Sequence, residues 1–157
     1  RHPLEDIPII EFETQSFWFT IPFDFQKELE LEGFDIGSSI HAIEHAMIAM
    51  APTLAQISRW DLGGVSIDFD PVKQQPVIYI YDAYKGGIGI SEMLFTRLGE
   101  LIFMTYDLIK SCECEQGCDG CIYSPKCGNR NQNLSKEGAL YLLQKIYPSG
   151  KKGKFRV

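Results

Sequence analysis

The chain has 157 residues and a mass of 17.8 kDa, a size suited to one domain, and its 45% hydrophobic, 23% charged and 12% aromatic residues describe a globular chain. That composition excludes a disordered polymer and a disulfide-stapled miniature, and no apolar run approaches the roughly 18 residues of a membrane span or forms a signal peptide. The net charge of −6 becomes −10 once Lys151, Lys152, Lys154 and Arg156 are set aside, an acidity unlike the basic face of an autonomous nucleic-acid binder.

The opening Arg1-His2-Pro3 lacks an initiator Met, so the chain is expected to be a piece of a longer cytoplasmic protein. Two runs rich in β-branched and aromatic residues, Pro8 to Phe12 and Ser16 to Ile21, predict neighbouring strands. Ser38-Ser39 supplies an N-cap, and Ile40, Ile43, Met47, Ile48 and Ala51 recur at helical spacing up to Pro52, which is expected to open a second helical stretch, Thr53 to Arg59. Val65 to Phe69 and Pro76 to Tyr81, separated by the polar turn Asp70 to Gln75, predict an antiparallel hairpin.

After Asp82 and a glycine-rich stretch, Ser91 is expected to open one long amphipathic helix to about Ile109, with Leu94, Phe95, Leu98, Leu101, Ile102, Tyr106 and Ile109 on its apolar face. A cysteine-rich loop spans 111 to 131. A last helix follows, capped by Ser135 and carrying Ala139, Leu140, Leu142, Leu143 and Ile146. The fold class is α+β, a mainly antiparallel sheet with packed helices and a cysteine zinc knuckle.

The strongest chemical signal is the placement of all five cysteines between Cys112 and Cys127. Cys118 and Cys121 form a C-x2-C pair, whose tight turn brings two thiolates to one face of a zinc ion, and Gly117, Gly120 and Gly128 supply backbone freedom. Cys114 and Cys127 are the best remaining donors. Cys112, only two residues before Cys114, ranks as the alternate ligand. A disulfide cluster, buried thiols and an iron–sulfur centre are the competing readings; the intracellular character, the hydrophilic loop and the absence of ferredoxin spacings weigh against them. Four thiolates would close the site and make it structural.

Two further motifs invite catalytic readings. His41-Ala42-Ile43-Glu44-His45 matches H-x-x-E-H, in which two histidines one helical turn apart bind zinc and the glutamate activates water, but no downstream glutamate has a motif around it to supply the third ligand. The alternative to a zinc-dependent hydrolase is a polar helix stripe hydrogen-bonded to Asp61 or Asp82. Gly86-Gly87-Ile88-Gly89 lies between a strand and a helix like a phosphate cradle, yet it lacks the Gly-Lys-Ser/Thr ending of a P-loop and the full G-x-G-x-x-G pattern. Positive-φ turns or close packing explain those glycines more simply.

Taken in order, His41 to His45 with Ala51-Pro52, Asp61-Leu62-Gly63-Gly64, Ile80-Tyr81-Asp82 with Gly86 to Gly89, and the loop from Cys112 to Asn131 resemble the C-terminal zinc-binding domain of the mitomycin-repair-factor type of DEAD/DEAH-box helicases. The resemblance covers about residues 16 to 146 and is most specific over Gly117 to Asn129, with Asp119 standing where the family usually has proline. It implies zinc on Cys114, Cys118, Cys121 and Cys127, and an accessory role behind the helicase motor domains of the same parent chain in an ATP-dependent DNA-repair enzyme. It also implies that the H-x-x-E-H phrase belongs to the domain's own pattern. No catalytic residue is expected in the domain itself. The implied organisation is a lead-in segment and first strand at 1–15, the zinc-binding accessory domain at 16–147 and a basic, flexible tail at 148–157. DNA contact, weak for this piece alone, would fall to Lys126, Arg130, Lys151 and Lys152, and no membrane partner is expected.

Overall fold

A computed structural model describes residues 13–127 and 129–146. The run at 8–12, the lead-in segment up to residue 12 and the basic tail lie outside the described residues. Three strands form one antiparallel sheet in the order β1-β3-β2, where β1 is Ser16–Thr20, β2 is Leu62–Asp70 and β3 is Gln75–Asp82. Phe17 of β1 faces Ile80, and Gly64 of β2 faces the same residue from the other side, so β3 is the central strand. Pro76 is tolerated there because it falls in the register shift between Ile67 and Asp70, where a ladder N–H is not needed.

Between β1 and β2 the chain makes α1 (Phe23–Leu31) and α2 (Ile36–Ala55). The helix α1 follows Pro22 and stops at Gly33, whose φ of 86° opens a turn in which Phe34 N–H donates to Leu29 O. The cap of α2 is Asp35, which accepts from Ser38 N–H at 2.9 Å, not the serine pair expected from the sequence. Nor does Pro52 divide this segment. It lies inside α2, in its last turn, where the missing N–H forgoes the intrahelical bond to Ile48 O without ending the helix, and Gln56 ends it in the left-handed region. Beyond α2 the expected second stretch is irregular up to Ser58, and only Arg59 of it enters a 3-10 turn, Arg59–Asp61, closed by a capping box between Ser58 and Asp61.

The long helix expected from Ser91 to Ile109 is two helices, α3 (Ile90–Thr96) and α4 (Leu98–Ser111). The break is at Arg97, at φ −116°, whose guanidinium donates to Leu54 O of α2 and to Glu100. The hydrophobic periodicity runs through the joint because both helices bury the same stripe, Leu94, Leu98, Leu101, Ile102 and Ile109. Last comes α5 (Lys136–Ile146), capped as expected by Ser135 Oγ accepting from Gly138 N–H at 3.0 Å. Buried Ile40, Ile43 and Met47 make α2 the central helix, packed on the sheet on one side and on α4 and α5 on the other. Among the described residues no helix is long and apolar enough to cross a membrane.

Candidate metal centre

The loop joining α4 to α5 folds against α2 around His41 and His45. Cys121 N–H and Tyr123 N–H both donate to Cys118 O at 3.1 Å, which curls the C-x2-C segment into a knuckle. Gly117, at φ 142°, lies so close to Tyr123 and Ile122 that a Cβ there would come within 2.7 Å of the Tyr123 ring and 2.9 Å of Ile122. This turn carries Cys118 and Cys121 toward Cys112, which leaves the C-terminus of α4 in extended conformation, and Cys114 just beyond it.

The four sulfurs stand 3.5 Å (Cys112–Cys114), 3.4 Å (Cys112–Cys118), 3.5 Å (Cys114–Cys121) and 3.8 Å (Cys118–Cys121) apart. Thiolates at about 2.3 Å from a central zinc are separated by about 3.8 Å along each edge of the tetrahedron, so the donor set fits one ion and is too tight to enclose an iron–sulfur cube. All five cysteines are free thiols. Cys127 is not in this cage: its Sγ lies 3.8 Å from His41 Nε2. Relative to the sequence-based expectation, Cys112 and Cys127 have exchanged places. The short C-x-C spacing becomes workable because the chain is extended at Cys112, whereas Cys127 is carried past the knuckle by the turn through Ser124 and Asn131.

Lys136, at the start of α5, supplies the charge that sequence reasoning missed. Its Nζ donates to Cys112 O at 2.8 Å, to Cys114 O and to Cys114 Sγ at 3.2 Å. Burial opposes ionisation of Cys114, but the ammonium and the neighbouring thiols outweigh it and bring the group down to about 7. Burial holds Cys121 high, at about 12, so zinc must displace a proton there. A signal for Lys136 existed: a cation in the first turn of a helix opposes the macrodipole, and a buried one requires an anionic partner.

The two histidines of the H-x-x-E-H phrase face this loop, and Glu44 faces β2, none of them bonding Asp61 or Asp82. His45 Nδ1 bonds Ile122 O at 2.8 Å and His41 Nδ1 bonds Asn133 O at 3.2 Å, so α2 fastens both ends of the knuckle's outer turn. Burial pushes His45 down to about 4 and pushes Glu44, lodged against Gly64 and Ser66 of β2, up to about 7. Asp61 instead accepts from Tyr84 and from Ser58 N–H. Asp82 accepts from the N–H groups of Ile88, Gly89, Ile90 and Ser91 at 2.7 to 3.3 Å. The glycine stretch is thus an anion cradle filled by the chain's own carboxylate, with Gly86, Gly87 and Gly89 at φ of 77° to 85°.

Of the residues expected to contact DNA, Lys126 is spent inside the protein, where its Nζ donates to Arg59 O at 3.0 Å and to Leu62 O. Arg130 is exposed. Lys151 and Lys152 lie outside the described residues.

A closed thiolate cage on an α+β scaffold defines a structural metal-binding domain. The family model of the MrfA Zn-binding domain matches residues 43–122, half of the chain and all four caged cysteines, and the chain belongs to that family, with zinc as its metal. An uncharacterized protein of Methanocaldococcus jannaschii is 37% identical over 110 residues, 68% of this chain and 98% of that one. The ATP-dependent helicase hrq1 of Schizosaccharomyces pombe is 27% identical over 152 residues, 87% of this chain but 14% of the helicase. The crystal structure of the DUF1998 helicase MrfA bound to DNA superposes with a TM-score of 0.65 at 26% identity, covering 89% of this chain and 18% of that one.

Proposed function

We propose that this chain is the zinc-stapled accessory domain of a larger, cytoplasmic ATP-dependent helicase that acts in DNA repair. Residues 16–147 are its functional unit and 148–157 a basic tail. Its zinc sits on Cys112, Cys114, Cys118 and Cys121, ties the end of α4 to the start of α5, and so fixes a surface that supports the arrangement of the motor domains. The observation that carries this reading is the set of four sulfurs at tetrahedral-edge separations inside a chain that spans only 14% and 18% of the two helicases it resembles. An apolar margin on β2 and its turn, with Val65, Phe69 and Val72 exposed at 42%, 61% and 87%, supports docking to protein over docking to DNA. So does the acidity of the chain, together with the internal engagement of Lys126.

Fluorescence anisotropy of this chain with single-stranded and duplex DNA tests the scaffold role. The expected result is weak binding that falls steeply between low and moderate salt. Micromolar or tighter binding that persists at moderate salt and is weakened by Arg130→Ala would instead make the domain a DNA-contacting element.

A further inference from the structure

We infer that the domain carries a second metal site, built from His41, His45 and Cys127. One ring nitrogen of each histidine and the Cys127 sulfur all lie within 4.8 Å of one another. A zinc held by two imidazoles and a thiolate would draw those atoms to about 3.3–3.6 Å, a change that small side-chain rotations supply. The histidines are already set for ligation. Each holds a main-chain carbonyl through Nδ1, at Asn133 O and Ile122 O. A carbonyl only accepts, so Nδ1 bears the proton and the lone pair is on Nε2; this is the outer-shell arrangement that orients metal-binding imidazoles.

The His41 Nε2 lone pair stands 3.8 Å from Cys127 Sγ. The three residues come from two elements, the middle of α2 and the far side of the knuckle, and they line one polar cavity of about 530 Å³ together with Glu44, Asp68 and Lys126. The site differs from the tetrathiolate cage in kind. Three protein ligands leave a fourth position facing the cavity, open to water or to an oxygen ligand, and the mixed nitrogen and sulfur donors suit zinc or a similar borderline divalent ion. Two histidines and a cysteine that the four-sulfur cage leaves unused thereby acquire a common role.

The test adds Co(II) to the protein as isolated, with its cage zinc in place. Zinc and cobalt together should total two per chain by elemental analysis. Cobalt entering the second site should give tetrahedral d–d absorption with the weak charge-transfer intensity of a single thiolate. Cys127→Ser and His41→Gln should each reduce the total to one and remove that absorption, with an unchanged far-ultraviolet circular dichroism spectrum, whereas Cys118→Ser should lose the cage ion alone. A wild-type total of one metal, cobalt with only the spectrum of the hexaaqua ion, or a second metal that survives in Cys127→Ser would each overturn the inference. The wild-type total decides the matter even if a variant fails to fold.

Discussion

Lys136 occupies a position that helix electrostatics disfavour, and its surroundings explain why it is there. A zinc with four thiolates carries a charge of about −2, and a buried anion of that size needs a cation and hydrogen-bond donors beside it. The ammonium supplies both, reaching Cys114 Sγ and the carbonyls on either side of Glu113. Lys136→Met keeps the apolar stem and removes the charge. Competition against a zinc chelator should show an affinity lower by about 10- to 100-fold, the usual cost of losing an outer-shell partner. An unchanged affinity would mean that Lys136 serves only as packing. Asp82 illustrates the same logic with the opposite sign, a carboxylate satisfied by four main-chain donors from the glycine turn and the start of α3.

At the scale of elements, the close crossing of α2 and α5 positions the α2 histidines against the loop. A Cβ on Gly138 would sit 1.9 Å from Ser39 Oγ and 3.0 Å from Ser39 Cβ, and Ser39 is fully buried with its hydroxyl donating to Asp35 O. Alanine in mid-helix normally gains about 0.5–1 kcal/mol over glycine. Here overpacking should win, so Gly138→Ala should be destabilising by about 1–3 kcal/mol, while Gly99→Ala in α4, where a Cβ meets nothing within 4 Å, should be neutral or stabilising by up to about 1 kcal/mol. Chemical denaturation of the two variants checks the pair; equal effects would remove the role assigned to the crossing.

Elements were legible where local chemistry decides them: the hairpin from its alternation and polar turn, α5 from Ser135, and β1 from its aromatic run. Joints were less so. The break at Arg97 depends on a carbonyl of α2 distant in sequence, and α2 continues through Pro52 although the proline removes one intrahelical bond, which local sequence rules count as a helix boundary. No signal was read for α1, although Phe25 and Leu29 are spaced one turn apart and Gly33 marks its end. In the metal centre the cysteine cluster was evident from composition alone, and the pairing of Cys127 with His41 was not, because it joins residues 86 positions apart.

For the whole molecule, the proposed role of zinc is that of a staple. The core beneath α2 is continuous from the sheet to Cys121 and Ile122, both fully buried, so the knuckle is an extension of the hydrophobic core and not an appended loop. Losing the ion should therefore loosen the packing of α4 against α5 as well as the loop. The most direct test is native mass spectrometry of the wild type, Cys112→Ser and Cys127→Ser after dialysis against a mild chelator that strips a three-ligand site but leaves a tetrathiolate intact. The wild type and Cys127→Ser should each retain one zinc, and Cys112→Ser should retain none and unfold at a lower temperature. Zinc kept by Cys112→Ser and lost by Cys127→Ser would contradict the account and return the ion to Cys114, Cys118, Cys121 and Cys127.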